Sequence, residues 1–286
     1  EIGSGLVGSE MCIRDRLVRA RDGRYAVGAF NVENMEMAQA VVMAAEKMRA
    51  PVMIQTTPGT LKYADAMLFA GMISRLAAAA TVPIALHLDH GDSFDLARYC
   101  IGQGYTSVMI DGSKLPFEEN VQLSRSVVEM AGDVPVEAEL GTVGGKEDTH
   151  EASASYTDPD QAAEFVRRTG ISSFAPAIGT AHGVYKSEPK VDVQLLEKIA
   201  SLVSIPLVLH GTSGVPDKTV RACVERGISK VNYATDLRIA FTGGARAGME
   251  ANPKAYDPKK YLGGARDAVM NRVCELICVC ASEGKA

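Results

Sequence analysis

Residues 206–237 read PLVLHGTSGVPDKTVRACVERGISKVNYATDL. Pro206 stands just before a short apolar run, Leu207–Leu209, where its missing N–H does least harm to a sheet. A loop of glycine and hydroxyl residues follows. Asp217–Arg226 then carries apolar side chains at helical spacing, and Gly227 sits where the chain needs a left-handed residue to leave a helix. Lys230–Asn232 resumes the strand pattern, so the stretch is one strand–helix–strand unit.

The unit recurs along the chain. Candidate strands are Ala26–Phe30, Val52–Gln55, Ile84–Leu88, Ser107–Ile110, Val136–Glu139, Ser173–Ile178, Leu207–Leu209 and Lys230–Asn232. Helix-like stretches lie between them, among them Met35–Met48, Val121–Met130 and Pro159–Thr169. Asp158-Pro159 is a cap followed by proline in the first helical position, and Gly170 closes the same helix. Eight alternations predict an α/β fold, a (β/α)8 TIM barrel forming a single domain over residues 17–286, with a C-terminal helical extension from Ala251. A doubly wound open sheet would carry G-x-G-x-x-G after its first strand, and none is present.

Composition narrows the function. The 286 residues are 47% hydrophobic and 23% charged, which is ordinary for a globular protein and excludes disorder or coiled coil. A net charge of −5 gives no basic surface for nucleic acid. The long apolar stretch Ala64–Ala80 contains Arg75 and is followed by Pro83, so no membrane span is expected. Six cysteines without a disulfide or zinc spacing point to a reducing, cytoplasmic setting with idle thiols. Residues 1–16 fit neither a signal peptide nor an amphipathic helix and are expected to be a non-native or disordered leader.

Chemistry in such a barrel gathers at the C-terminal ends of the strands. Of five histidines, His90, His182 and His210 fall there, in HLDHGD, GTAHGVY and VLHGTSG. Three imidazoles would leave an open position on a divalent ion, while a lone general base with two unrelated histidines is the competing reading. His87 is two residues before Asp89 and would point to the same side, in a supporting role. Asp89 could orient a ligand or carry a proton. Asp111, Glu137 and Glu139 on the same rim could hold a second metal position or form buried ion pairs. Gly211-Thr212-Ser213-Gly214 and Tyr233-Ala234-Thr235-Asp236 end the last two strands, where barrels commonly bind phosphate. The loop Gly141–Tyr156, including His150, is expected to be mobile over the site.

From about Leu17 onward the motifs YAVGAFN, HLDHGDSF, SVMIDGSKLPFEENV, VEAELGTVGGKED, GTAHGVY, PLVLHGTSG and KVNYATDLRIAF resemble, in order and spacing, those of the class II, metal-dependent ketose-bisphosphate aldolases. The resemblance implies reversible cleavage of a ketohexose bisphosphate into dihydroxyacetone phosphate and glyceraldehyde 3-phosphate. It implies His90, His182 and His210 as zinc ligands, Asp89 as the acid/base, and Glu139 with Asp111 as an alternative metal position. It further implies Asn31, Gly183, Gly211, Thr212, Ser213, Asn232, Tyr233, Ala234 and Thr235 around dihydroxyacetone phosphate, with a monovalent cation (Na+ or K+) nearby. Glu147 would move the carbon-bound proton and Arg238 would grip the distal phosphate. A homo-oligomer, dimer or tetramer, is also implied.

Ala234, where fructose-type enzymes usually carry Asn or Asp, and the pair GTAHG and HGTSG are closer to the tagatose-1,6-bisphosphate type. Fructose-1,6-bisphosphate is the alternative substrate. Two other classes compete: a Schiff-base aldolase, for which Lys230 at the start of the eighth strand lies at the wrong rim, and a noncatalytic sugar-phosphate-binding subunit.

Overall fold

The computed structural model describes residues 13–147, 150–152, 155–183, 185 and 189–286, without the side chains of 146, 147 and 150–152. Its strands are β1 (Val27–Asn31), β2 (Val52–Thr56), β3 (Ile84–Gly91), β4 (Ser107–Ile110), β5 (Val136–Leu140), β6 (Gly144–Glu147), β7 (His150–Ala152), β8 (Ser173–Pro176), β9 (Ala181–His182), β10 (Leu207–Leu209) and β11 (Ile228–Tyr233). Eight of them close a parallel barrel in the order β1-β2-β3-β4-β5-β8-β10-β11, and β11 pairs back onto β1. The other three form a small sheet, β7-β6-β9, on the rim.

The helices are α1 (Ile13–Asp22), α2 (Met35–Met48), α3 (Pro58–Tyr63), α4 (Ala66–Ala79), α5 (Phe94–Gly102), α6 (Phe117–Ala131), α7 (Pro159–Thr169), α8 (Val193–Leu202), α9 (Asp217–Val224), α10 (Thr235–Ala251) and α11 (Lys259–Val279). Their starts follow local chemistry: Asn34, Thr57, Asp65, Ser93, Asp158 and Asp192 each accept a hydrogen bond from a first-turn N–H. α11, the C-terminal extension, packs on α10 and α2. Among the described residues no helix is long and apolar enough to cross a membrane.

Side chains of the strands alternate between two environments. Phe30, Ile54, Leu86, Val108, Ala138, Phe174, Leu209 and Val231 face outward and form the main core with the helices. The lower interior is small and apolar: Val27, Ala29, Met53 and Ala85 pack under Leu17 and Ala20 of α1. α1 begins at Ile13, four residues before Leu17. Ile13, Leu17 and Ala20 make a helical apolar stripe that covers the open bottom of the barrel. Above this layer the interior turns polar, with His87, Ser107, Glu137, Ser173 and Lys230 buried at mid-height.

Candidate metal centre and active site

Asp89 and His90 are adjacent, yet both line the upper cleft. Strict alternation would send one of them outward. A bulge resolves this: Leu88 pairs with Val108 and Gly91 with Ile110, so three steps along β3 match two along β4, and His90 takes φ +48°. His182 lies in β9, held from two sides by glycines. A Cβ on Gly145 (φ +91°) would collide with the His182 carbonyl oxygen, and one on Gly211 (φ +64°) would come within 2.7 Å of the Ala181 carbonyl carbon. The Tyr185 hydroxyl adds a clamp, accepting from the Ala181 N–H (2.6 Å) and donating to the Gly211 carbonyl (2.7 Å). His210 directly follows β10.

The three imidazoles converge. One ligand nitrogen from each lies within 4.8 Å of the others, with ring centroids 4.8 Å (His90–His182), 4.7 Å (His90–His210) and 6.1 Å (His182–His210) apart. His90 Nδ1 sits 2.9 Å from Asp111 Oδ2, and His210 Nε2 sits 2.9 Å from Glu137 Oε1. Each carboxylate engages the ring nitrogen away from the centre, leaving His90 Nε2 and His210 Nδ1 facing each other at 2.9 Å. Burial, reinforced by the neighbouring rings, holds His182 well below the usual imidazole range, and burial also lowers His210. Neutral imidazoles are what a cation binds. Burial opposes ionisation of Asp111, but its hydrogen bond from His90 outweighs this and keeps it a carboxylate.

Glu139 completes a second group, His90, Asp111 and Glu139, whose ligand atoms also lie within 4.8 Å of one another. Burial, with the Asp111 charge adding to it, pushes Glu139 up to about 8. Among the described residues its Oε2 has no hydrogen-bond partner, and it lies 3.6 Å from His210 Nδ1. A buried carboxyl oxygen left without a hydrogen bond beside converging imidazoles fits a divalent cation.

Asp89 is held by amides. Asn31 Nδ2 donates to Oδ2 at 2.8 Å, Gln55 Nε2 to Oδ2 at 3.2 Å and Asn232 Nδ2 to Oδ1 at 3.0 Å. Burial opposes its charge, but His90, His210 and Lys230 outweigh burial and lower its pKa. Gln55 was not among the expected site residues. Its signal is a lone amide ending the otherwise apolar run VMI of β2, and it also donates to Asn31 Oδ1 at 2.7 Å. The cleft, about 290 Å³, is lined by Asn31, Asp89, His90, His182, Gly183, Gly211–Ser213, Asn232, Ala234 and Thr235. α10 starts at its edge after Ala234; the Asp236 N–H donates to Ser213 Oγ at 3.3 Å and the Leu237 N–H to the Ala234 carbonyl at 3.1 Å, so it is the positive end of the helix, with Thr235 and Ser213 in the lining, that favours an anion there.

A family model, fructose-bisphosphate aldolase class-II, matches residues 12–285. The chain belongs to the class II fructose-bisphosphate aldolase family. It is 38% identical to the YdjI aldolase of Escherichia coli K12, covering 96% of this chain and 98% of that one, with a TM-score of 0.85. It is 26% identical to a fructose-bisphosphate aldolase of Campylobacter jejuni, covering 96% and 95%, with a TM-score of 0.84. The protein is therefore an aldolase, a lyase.

Two expected contacts lie elsewhere in this aldolase. β11 pairs in even register with β1 from Lys230 to Tyr233, so the Tyr233 side chain, next to inward-facing Asn232, faces out of the barrel. It stacks on Phe30 with centroids 5.8 Å apart and lies 3.7 Å from Cys280 Sγ, in the core beneath α11. Arg238, one turn into α10, does not line the cleft; its guanidinium binds Glu33 at 2.6 Å, and Glu33 accepts from Thr60 Oγ1 at 2.6 Å. The Glu147 side chain and residues 148 and 149 lie outside the described residues, as does the His150 side chain. Lys230 is the third residue of β11, not its first, and it points into the barrel below His210 instead of lying at the lower rim. It is engaged by Glu137 at 2.8 Å and His87 at 3.3 Å.

Proposed function

We propose that this class II aldolase reversibly cleaves tagatose-1,6-bisphosphate into dihydroxyacetone phosphate and glyceraldehyde 3-phosphate. One observation carries the reading: three imidazoles converge beside a cleft that pairs an amide-held carboxylate with the N-terminus of a helix. His90, His182 and His210 hold the cation, zinc in this reading, with Glu139 and Asp111 as an alternative position. The bound ion supplies Lewis-acid polarisation of the substrate's oxygens, worth several kcal/mol.

The chain's own groups do the rest. Gly183, Gly211–Ser213 and Ala234–Thr235 receive the phosphate through backbone N–H groups and hydroxyls, next to a monovalent cation. Asn31, Gln55 and Asn232 fix the Asp89 carboxylate, which takes the C4 hydroxyl proton as the C3–C4 bond opens. The electron pair passes to C3, and Glu147 delivers a proton to that carbon. In the condensation direction Asp89 returns its proton to the aldehyde oxygen. A homo-oligomer working in the cytoplasm is part of the same reading.

Tagatose and fructose bisphosphates differ only in configuration at C4, so discrimination rests on a few contacts worth about 1–3 kcal/mol. Ala234 and the GTAHG and HGTSG loops support the tagatose form. Cleavage rates on both sugars, coupled to reduction of dihydroxyacetone phosphate, test it. A higher kcat/KM for tagatose-1,6-bisphosphate is expected, and a preference for fructose-1,6-bisphosphate overturns the assignment of the sugar.

A further inference from the structure

From His210 down into the barrel, five buried side chains form one continuous chain. His210 Nε2 lies 2.9 Å from Glu137 Oε1, Glu137 Oε2 lies 2.8 Å from Lys230 Nζ, Lys230 Nζ lies 3.3 Å from His87 Nε2, and His87 Nδ1 lies 2.8 Å from Ser107 Oγ. Lys230 is fully buried, and its partners are nearly so. We propose that Lys230 and Glu137 are positioning residues that fix the ring tautomer of His210, so that its Nδ1 lone pair faces the cation site.

The argument follows from the donor inventory. An ammonium has three donors and no acceptor. Glu137 Oε2 and His87 Nε2 must therefore both accept from Lys230. A carboxylate accepting at one oxygen accepts at the other, so Oε1 receives its hydrogen bond from His210, and the proton of that ring sits on Nε2. Nδ1 is left as a lone pair, aimed at His90 Nε2 across 2.9 Å. On the other branch His87 Nε2 is an acceptor, so its Nδ1–H donates to Ser107. One cation thus sets the direction of every bond along the chain. The Asn232 amide, 3.3 Å from His210 Nε2, has a second N–H besides the one given to Asp89 Oδ1 at 3.0 Å, but the Glu137 carboxylate is nearer the ring nitrogen at 2.9 Å, is charged and can only accept, so it accepts from the Nε2–H.

Stability alone gives little reason for the pair. Replacing a buried ion pair with well-packed apolar residues is often neutral or stabilising, since desolvation consumes the Coulombic gain. The pair's position, one bond from His210, gives it a use. An amide at position 137 would turn its oxygen to the Lys230 ammonium and its NH2 to the ring, so His210 Nε2 would have to accept and the proton would move to Nδ1.

The inference rests on His210 being a cation ligand, and the test separates the two. In the metal-free full-length protein labelled with 15N at histidine, a long-range 1H–15N correlation reads the tautomer directly, with the His210 signals assigned by their loss in His210→Ala. The wild type is expected to show Nε2–H alone, Glu137→Gln mainly Nδ1–H, and Lys230→Met a mixture, because a buried Glu137 without its cation takes up a proton and can then donate to the ring. Zinc affinity, measured by chelator competition, is expected to weaken about 10–100-fold in both variants while the near-ultraviolet dichroism of folded protein is retained. An Nδ1–H ring in the wild type overturns the proposal, and so does wild-type zinc affinity in Glu137→Gln. His210→Ala binding zinc as tightly as wild type would instead sink the assignment of His210 as a ligand, leaving the tautomer measurement to decide what Lys230 does.

Discussion

Asp89 and His90 share a peptide bond and have different neighbours: three amides for the carboxylate, two imidazoles and Asp111 for the ring. Asp89→Ala removes the proton acceptor and leaves the cation donors in place. Zinc content, measured by metal analysis, should be unchanged while kcat falls about 10²–10⁴-fold. Turnover near that of wild type would show that another group carries the proton. His87 offers a test by pH. Burial, with the Lys230 charge adding to it, lowers its pKa to about 3. A histidine whose folded pKa is depressed stabilises the fold fully above its unfolded value near 6.5, and this contribution is lost as pH falls from there toward about 3. One such site removes about 2 kcal/mol between pH 7 and pH 5. His87→Asn, which can still accept from Lys230 and donate to Ser107, should shrink the difference between urea midpoints at those two pH values. An unchanged difference would mean that His87 is charged in the folded protein.

At the level of elements, β9 is two residues long and depends on its surroundings for its place. Gly145, Gly211 and Tyr185 confine it, and through it His182. Gly211→Ala places a methyl against the Ala181 backbone at φ +64°. The change should cost about 1–3 kcal/mol in thermal unfolding. It should also raise KM for the bisphosphate, because Gly211 belongs to the anion loop, and lower kcat, because the methyl displaces the strand that seats His182. α1 is the corresponding device at the other end of the barrel, where Ile13, Leu17 and Ala20 shield small apolar residues that would otherwise meet water.

For the whole molecule, a cation that binds the folded state alone stabilises it by about 2.7 kcal/mol when free ion is one hundred times Kd. Treatment with EDTA should abolish cleavage and lower the unfolding temperature, and zinc should restore both. Activity that survives complete chelation would remove the cation from the mechanism. The barrel itself was legible in the sequence because apolar runs and helical spacing recur eight times with Gly and Pro at the joins, and the observed strands fall on those runs. His90, His182 and His210 were legible as strand-end residues for the same reason. Gln55 was hidden at the end of an apolar strand, and Tyr233 was misplaced because reading it as loop ignored the alternation that carries it outward from Asn232.

The sequence alone determined the eight-fold repeat, the rim that carries the chemistry and the residue types gathered there, because these depend on periodicity and on neighbours close along the chain. Only the tertiary structure decided that a bulge turns His90 inward beside Asp89 and that glycines seat His182. It also decided that Lys230 lies under His210 instead of at the lower rim. Those outcomes depend on contacts between strands far apart in sequence, where a one-residue shift in pairing or a single missing Cβ changes which way a side chain faces.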